Sequence, residues 1–397
     1  MAHIVMCWEL GGDLGHIARM KPLAEALHAR GYQVTFILRD CLSAERLLDP
    51  ARFRWFQAPY QSEAVPGSRM PTWNMADVLY NTGFHSPHSI AARVRAWRAL
   101  FAMLDPDLLV FDHSPTALLA ARGLKIPRLI LGTGFGIPPA VSPFPPFEPG
   151  DTVPDLTGSE TQLTSVINSA LESLGDAPIA YLADLYAAEA KVFFTFRELD
   201  HYPSRDAGDY WGAPRQDAGI PTAWPTGIGK RVFAYLKPFK TLPELLKNLQ
   251  ESNHPTLIYL SKEADATRRQ FQGAANLAFS ERPVDLPGAV AKADLVICHS
   301  GHGTISAALL GGKPLLLLPL NMEQRMLSAR VMQAGAGLAA PALTPAGMRQ
   351  KLRRLLAEPA FTEAARTFAE RYVSLKVETI PERFAALAEG LIASEVP

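Results

Sequence analysis

Short apolar runs alternate with helix-like segments along most of this chain, and that alternation restricts its fold most strongly. Residues 4–8 and 34–38 are apolar runs separated by a glycine-rich turn and an apolar helical stripe that stops at Gly31. A strand, a crossover helix and a second strand build a parallel sheet with helices on its faces. The same alternation begins again at residue 231. The sequence therefore predicts an α/β protein with two such sheets.

A segment rich in Pro, Gly and Asp, residues 203–230, separates the two series. Because 397 residues exceed one ordinary core, the sequence predicts two domains, residues 1–202 and 231–376, with 203–230 as the linker. We also expect helices over 163–174 and 179–190, and a strand over 192–196. An amphipathic stretch near the C-terminus makes residues 377–397 a separate helical segment.

Composition excludes several classes of function. Lys plus Arg and Asp plus Glu are both 39, so nothing favours nucleic acid as a partner. The three cysteines lack metal-ligand spacing, which argues against a zinc site and favours a reducing, cytoplasmic location. No apolar window approaches the roughly 20 residues of a membrane span, and no secretory signal is recognisable.

Residues 299–304, His-Ser-Gly-His-Gly-Thr, follow an apolar run and open a helical pattern. Gly301 and Gly303 allow a ligand close to the backbone, and a helix N-terminus offers unpaired N–H groups to a diphosphate. Thr304 can cap the helix or donate to a phosphate oxygen, and two histidines supply further donors. The alternative is an ordinary strand-to-helix turn with incidental histidines.

The segments that follow these residues carry a family resemblance. Gly-Gly-Lys-Pro at 311–314, an apolar run to Pro319, Glu323-Gln324 and Gly-Ala-Gly at 335–337 come in order, and Glu323 lies 24 positions after His299. This resembles the nucleotide-sugar signature of GT-B glycosyltransferases, which include UDP-glucuronosyltransferases, plant flavonoid glucosyltransferases and bacterial antibiotic (macrolide-type) glycosyltransferases. The resemblance implies two Rossmann-like domains that face each other across a cleft, with the nucleotide sugar bound by residues 231–376 and the acceptor by residues 1–202. It also implies that the C-terminal helix, within residues 377–397, crosses back to the N-terminal domain.

By that resemblance His299 contacts the diphosphate, while Glu323 and Gln324 hydrogen-bond the hydroxyls of the donor sugar. The remaining expected donor-binding residues are Lys237, Gly301, His302, Gly303 and Thr304. The role of Lys237 stays open between a phosphate contact and a solvated side chain.

Two positions depart from the family pattern. Many relatives carry a Glu that binds the ribose where this chain has Ala307, and residues 279–284 lack the usual aromatic or Pro-Gln pair for the base. The choice between a UDP-sugar and a dTDP-sugar therefore stays open.

A transfer with inversion needs a base that removes the acceptor's proton, and histidine suits that task near neutral pH. The resemblance places the family's catalytic histidine on His16, after the first glycine turn. It places the orienting carboxylate on Asp112, 96 positions later. Asp13 is a competing base. Relatives often have Pro three positions after the histidine, where this chain has Arg19.

Acceptor recognition is expected from aromatic loops at residues 73–88 and 133–149. The candidate contacts are Trp73, Phe84, His85 and Phe135. Such residues suit a flat or apolar small molecule or a lipid, although aromatic residues in loops often complete a core instead.

These observations predict an inverting, metal-independent glycosyltransferase that acts on a hydroxyl or amine acceptor. It needs no bound cofactor, because the nucleotide sugar is a co-substrate. The alternatives are a sugar-nucleotide epimerase, which works without an acceptor, and a non-catalytic sugar-nucleotide-binding protein. An NAD-dependent oxidoreductase is more distant, because residues 11–15 do not form a GxGxxG motif.

Overall fold

The chain divides into two compact units. A computed structural model describes residues 2–12, 14–150, 152–214, 219–221, 223–261 and 264–394. The first unit comprises Met1–Arg197, Tyr202–Pro214 and Lys376–Pro397. The second comprises Glu198–His201 and Arg215–Leu375.

The first unit is built on a six-stranded parallel sheet. Its strands are β1 (His3–Trp8), β2 (Gln33–Leu38), β3 (Arg54–Gln57), β4 (Leu108–Asp112), β5 (Arg128–Gly132) and β6 (Ala190–Phe193). The spatial order is β3-β2-β1-β4-β5-β6. Every residue of β1 and β4 is buried, which explains why these strands read as continuous apolar runs rather than as alternating patterns.

Helices flank this sheet. They are α1 (Gly15–Ala29), α2 (Cys41–Leu47), α3 (Met75–Leu79), α4 (Pro87–Leu104), α5 (Pro115–Ala121), α6 (Leu156–Leu174) and, from the C-terminal segment, a last helix over Ile380–Ser394. The helix α1 continues through Pro22, and its apolar side joins the core beneath β1. The Ile380–Ser394 helix buries Phe384 in that same core.

The second unit repeats the design. Its strands are β7 (Val232–Leu236), β8 (Thr256–Leu260), β9 (Leu277–Ser280), β10 (Leu295–Cys298), β11 (Leu315–Leu317) and β12 (Gly337–Ala339). Its helices are α7 (Leu242–Glu251), α8 (Asp265–Phe271), α9 (Leu286–Lys292), α10 (His302–Leu310), α11 (Met322–Gln333), α12 (Pro345–Ala357) and α13 (Pro359–Arg371). The Ile380–Ser394 helix is therefore α14. The strand order is β12-β11-β10-β7-β8-β9.

Both sheets share one connectivity, in which the first strand of each unit pairs with its second and its fourth strand. The strand order reverses at those central pairs, β1 with β4 and β7 with β10. Open α/β sheets bind ligands beyond the carboxyl ends of the strands at such a switch point. The two turns that the sequence singled out, after β1 and after β10, therefore both start at the positions where this fold places ligands.

The helix predicted over residues 179–190 is wrong. Only a single 3₁₀ turn, Leu182–Tyr186, forms there, and β6 begins at Ala190. The Asn168 side chain binds both the N–H and the carbonyl of Ile179, and the Asp184 carboxylate accepts from the N–H groups of Ala180 and Tyr181. These side-chain bonds hold the backbone in a non-helical path.

No described helix combines the length and the apolar character that crossing a membrane requires.

Candidate active site

The turn after β1 lies beside the end of β4, because Trp8 pairs in register with Asp112. Asp112 is the last residue of β4, and its side chain is 2% exposed. His16 is the second residue of α1 and 16% exposed, with its Nδ1 3.1 Å from Oδ2 of Asp112. The two residues that the resemblance pairs are therefore brought together within the first unit.

The His16 imidazole is enclosed on two further sides. It stacks on the Trp8 indole, with ring centroids 4.9 Å apart and an interplanar angle of 17°. A Cβ at Gly11 would lie 2.6 Å from Nε2 of His16, and Gly11 has φ +91°. Only glycine fits this turn while leaving room for the ring. With Nδ1 turned to the carboxylate, Nε2 is the nitrogen left to exchange a proton.

Arg19 also binds the carboxylate of Asp112. Its Nη1 lies 3.2 Å from Oδ1 and 3.0 Å from Oδ2, and its side chain is 14% exposed. Burial by itself raises the pKa of Asp112, but the Arg19 guanidinium and then the His16 imidazole outweigh it and hold that pKa below its ordinary value. The carboxylate is therefore ionised at neutral pH. The sequence marked Arg19 only as a departure from the family pattern.

His113, the residue after β4, is a second histidine beside this carboxylate. Its backbone has φ +46°, its ring meets the Phe135 ring edge-on at 5.9 Å, and a Cβ at Gly136 would lie 2.9 Å from it. Burial, and then the neighbouring His16, lower the pKa of His113 to about 4. His113 is therefore neutral at pH 7 and packs as part of the loop.

A buried ion pair that the sequence did not indicate supports the same strand ends. Glu9, the residue after β1, is fully buried and accepts from Nη1 of Arg93 at 3.2 Å. It also accepts from the N–H and the hydroxyl of Thr116, in the first turn of α5. Burial raises the pKa of Glu9 despite these partners. Arg93 further donates to the carbonyl of Gly83 at 2.7 Å, so one guanidinium joins three segments.

The expected acceptor contacts separate into two groups. Trp73 and His85 are half-buried, and Phe135 is 9% exposed and stacked on Phe147 at 5.3 Å. Phe84 is fully buried, and the Arg93 guanidinium lies over its ring at 5.3 Å. This position corrects the expectation for Phe84, because a ring with no exposed surface serves the core and does not reach an acceptor.

In the second unit, His299 follows β10 and is 6% exposed. Its Nδ1 lies 2.8 Å from the carbonyl oxygen of Leu318, and its Nε2 lies 3.3 Å from that of Lys237. A neutral imidazole has one N–H, and the shorter contact assigns it to Nδ1. Burial lowers the pKa of His299 although both carbonyls act in the opposite direction. The ring ties together the ends of β7, β10 and β11.

The turn between β10 and α10 provides no side-chain cap at the N-cap position of that helix. Gly301 occupies that position and, having no side chain, makes no cap hydrogen bond. A Cβ at Gly301 would meet no protein atom within 4 Å. His302, Gly303 and Thr304 form the first turn and are half-buried. The helix therefore presents its N–H groups and its positive dipole end beside open space.

The first turn of α11 holds Glu323 and Gln324, both half-buried. The Gln324 side-chain oxygen accepts from the N–H of Leu320 at 2.7 Å, which leaves its amide N–H groups for other partners. Behind them, the Ser328 hydroxyl donates to the carbonyl of Gln324 and accepts from the hydroxyl of Ser300, each at 2.7 Å. This buried pair joins the glycine turn to the Glu-Gln turn and was missed from the sequence.

Two further residues that the sequence singled out are Lys237 and Asp13. Lys237 directly follows β7, is exposed, and lends its carbonyl to His299. The competing base, Asp13, lies outside the described residues. Within the described ranges, no group of three or more His, Cys, Asp or Glu side chains is arranged to hold a metal ion.

Comparison with known proteins identifies the class of enzyme. Residues 240–378 match the glycosyltransferase family 28 C-terminal domain. The PGL/p-HBAD biosynthesis glycosyltransferase of Mycobacterium tuberculosis is 22% identical over 396 residues, covering 90% of this chain and 86% of the relative. The UDP-N-acetylglucosamine--N-acetylmuramyl-(pentapeptide) pyrophosphoryl-undecaprenol N-acetylglucosamine transferase of Mycobacterium ulcerans is 37% identical over 109 residues, covering 25% of this chain and 27% of the relative.

Solved structures of antibiotic glycosyltransferases share the fold along nearly the whole chain. The kitacinnamycin glycotransferase has a TM-score of 0.72 at 19% identity, covering 98% of both chains. The spinosyn rhamnosyltransferase complexed with thymidine diphosphate has a TM-score of 0.68 at 18% identity, covering 98% of this chain and 100% of its own. These likenesses establish the fold, and the family match and the curated relatives establish the class of enzyme. The chain is therefore a glycosyltransferase with the GT-B fold whose residues 240–378 match the family 28 C-terminal domain.

Proposed function

We propose that the protein transfers a sugar from a nucleoside-diphosphate donor to a hydroxyl or amine of a small-molecule or lipid acceptor, with inversion at the sugar's C1 and without a metal. The observation that carries this proposal is the His16 imidazole, fixed by Asp112, Trp8 and Gly11 with Nε2 left over for a proton.

In the proposed reaction, Nε2 of His16 takes the proton of the acceptor as the acceptor's oxygen or nitrogen bonds to C1. The ionised Asp112 stabilises the imidazolium that forms and keeps the Nδ1 proton in place. The bond from C1 to the diphosphate oxygen breaks at the same time, and its electron pair stays on the leaving diphosphate. The acceptor's attack from the face opposite that oxygen gives the inverted product.

The leaving diphosphate needs stabilisation where its negative charge grows. The N–H groups in the first turn of α10, after Gly301, supply it through fixed dipoles that require no rearrangement during the reaction. Glu323 and the free amide of Gln324 hold the sugar hydroxyls. We assign His299 the task of supporting this turn, since both of its ring nitrogens face backbone carbonyls.

We propose UDP or dTDP as the nucleotide. One of the structurally similar proteins was solved with thymidine diphosphate, and several curated relatives are named for UDP-sugars. We propose a cytoplasmic location, which the three free thiols, Cys7, Cys41 and Cys298, support.

The first test measures binding of UDP, dTDP and GDP by calorimetry and by thermal shift. A ligand that binds the folded state raises the melting temperature of the protein. At least one diphosphate should bind with a Kd below about 1 mM. If none of them binds, the donor site is misassigned.

The second test uses the donor so identified with a panel of phenolic, alcohol and amine acceptors. His16→Asn should lose about 10²–10⁴-fold in kcat while binding the diphosphate as the unaltered protein does. Conversion of the sugar nucleotide without any acceptor would instead indicate an epimerase. A biological function that is unchanged in His16→Asn, with no sugar transfer in either protein, would indicate a non-catalytic binding protein.

A further inference from the structure

Arg19 places a guanidinium on the carboxylate that supports His16. It lies one turn after His16 on α1, and its Nη1 contacts both carboxylate oxygens of Asp112. Oδ2 of Asp112 is shared, at 3.0 Å from Arg19 and 3.1 Å from His16. The carboxylate therefore serves two cations whenever His16 is protonated.

This sharing changes the charge balance of the site. In a His–Asp pair alone, a proton arriving on the imidazole completes an ion pair. Here Arg19 already neutralises Asp112, so the same proton gives the three groups a net charge of +1. All three side chains are at most 16% exposed, so water screens their interaction weakly.

Other charged groups do not replace this effect among the described residues. His113 and Arg39 are the other titratable groups near this turn: His113 is neutral above about pH 4, and the Arg39 guanidinium donates to the backbone carbonyl of Glu9. Trp8 contributes an uncharged face. Glu9, at the end of the same strand as Trp8, is fully buried against Arg93. Arg19 is thus the cation that competes directly for the carboxylate.

We propose that Arg19 is a positioning residue with two effects on the base: it anchors the Asp112 carboxylate, and it limits how firmly that carboxylate holds a proton on His16. The base is then protonated less readily than it would be beside an unshared carboxylate. The inference rests on the proposed role of His16 but concerns its proton equilibrium, which is measurable without any sugar transfer.

The experiment is an NMR titration of the full-length protein labelled with ¹³C-histidine. The His16 signal is assigned by its absence in His16→Asn. In Arg19→Gln, the titration midpoint of His16 should rise by about one pH unit, because the carboxylate then acts on the imidazolium alone. Arg19→Lys keeps the charge and should stay within a few tenths of a pH unit of the unaltered protein.

Arg30→Gln is the matched control, because the exposed Arg30 lies at the C-cap of the same helix and pairs with Glu389. It should leave the midpoint unchanged. A midpoint that stays constant or falls in Arg19→Gln would overturn the proposal, and so would equal shifts in Arg19→Gln and Arg19→Lys, which indicate a packing role.

Asp112→Asn tests the same balance with Arg19 in place, should the Arg19 variants fold poorly. The guanidinium then acts without the carboxylate, and the midpoint should fall by more than about one pH unit. A smaller fall contradicts the proposal. The titration contains neither donor nor acceptor, so it can be interpreted even if the protein has no transferase activity. Conversely, a constant midpoint would overturn the role of Arg19 without contradicting the proposed sugar transfer.

Discussion

The turns after β1 and after β10 occupy matching positions in two sheets of the same connectivity, yet they are stabilised differently. The turn after β1 is organised by charge: a guanidinium and an imidazole each lie within 3.2 Å of one buried carboxylate. The turn after β10 is organised by neutral groups: an imidazole on two carbonyls and a serine pair.

The difference matches the two tasks we propose. Moving a proton requires a group whose charge changes, supported by fixed charges around it. Holding an anion requires donors that do not titrate and an open surface in front of them. One connectivity therefore supports either chemistry, and the side chains just beyond the strand ends decide which.

Asp112→Asn should have the largest effect on catalysis, because it removes the central charge of the turn after β1. The amide cannot stabilise an imidazolium and leaves Arg19 without its carboxylate, so kcat should fall by about 10²–10⁴-fold. Binding of the diphosphate, measured by calorimetry, should stay within about twofold. Asn321→Ala, which removes the N-cap of α11 in the second unit, is the contrasting variant and should weaken donor binding instead. If both variants changed kcat and diphosphate binding equally, the two turns would not have the separate tasks that we propose.

His113 should make the first unit sensitive to acid. Its pKa in the folded protein, about 4, lies below the ordinary value of 6.5, so the unfolded chain binds the extra proton between those values. Stability is therefore complete above about pH 6.5 and is lost as the pH falls toward 4. The uptake of this one proton lowers the free energy of unfolding by roughly 3 kcal/mol over that pH interval.

His113→Asn should remove most of that loss, because asparagine tolerates the left-handed backbone at this position and does not titrate. The measurement is chemical denaturation at pH 7 and pH 4.5 for both proteins. An unchanged pH dependence in the variant would show that other groups cause the acid sensitivity.

Gly301→Ala should reduce the space for a ligand with little effect on the stability of the protein. Its φ of −66° accepts alanine, and the added Cβ meets no protein atom within 4 Å. The melting temperature should fall only slightly, because alanine is a poorer N-cap residue than glycine, while affinity for the diphosphate should drop about tenfold because the methyl group enters the space in front of α10. Gly15→Ala, equally open at the start of α1, should leave that affinity unchanged. If Gly301→Ala kept its affinity for the diphosphate, the diphosphate would bind at a different place in the protein.

Ser328→Ala should have the smallest effect. It removes the hydroxyl that joins Ser300 to the backbone of Gln324, so the Glu323-Gln324 turn loses one restraint. We expect KM for the sugar donor to rise several-fold with kcat within about twofold. Ser169→Ala removes a hydroxyl that donates to the Ser165 carbonyl within its own helix, and it should change neither constant. A change in kcat alone would contradict the assignment.

The sequence predicted the architecture because buried parallel strands leave an unmistakable apolar run. The runs at 4–8 and 34–38 became β1 (His3–Trp8) and β2 (Gln33–Leu38). Short or half-buried elements, such as β3 with its exposed ends, carried no comparable signal. The wrong helix at 179–190 reflects side chains from elsewhere, chiefly Asn168, that capture the backbone.

Predictions of the site divide in the same way. Adjacent strand ends follow from topology, so the closeness of His16 and Asp112 was foreseeable. The reach of Arg19 onto that carboxylate depends on its rotamer, and the pairing of Glu9 with Arg93 joins residues 84 positions apart. Neither follows from a local pattern. Phe84 looked like a binding aromatic because composition does not distinguish a core ring from an exposed one.

The placement of α14 has a consequence for biosynthesis. This helix fills the core under α1, where Phe384 is fully buried and Arg30 pairs with Glu389. On the ribosome, residues 380–394 emerge about ten to thirty seconds after residue 214, at typical rates of translation. The second unit is nearly continuous in the chain and is completed first, while an apolar groove on the first unit waits for α14. We expect nascent chains arrested before residue 380 to recruit chaperones through that groove.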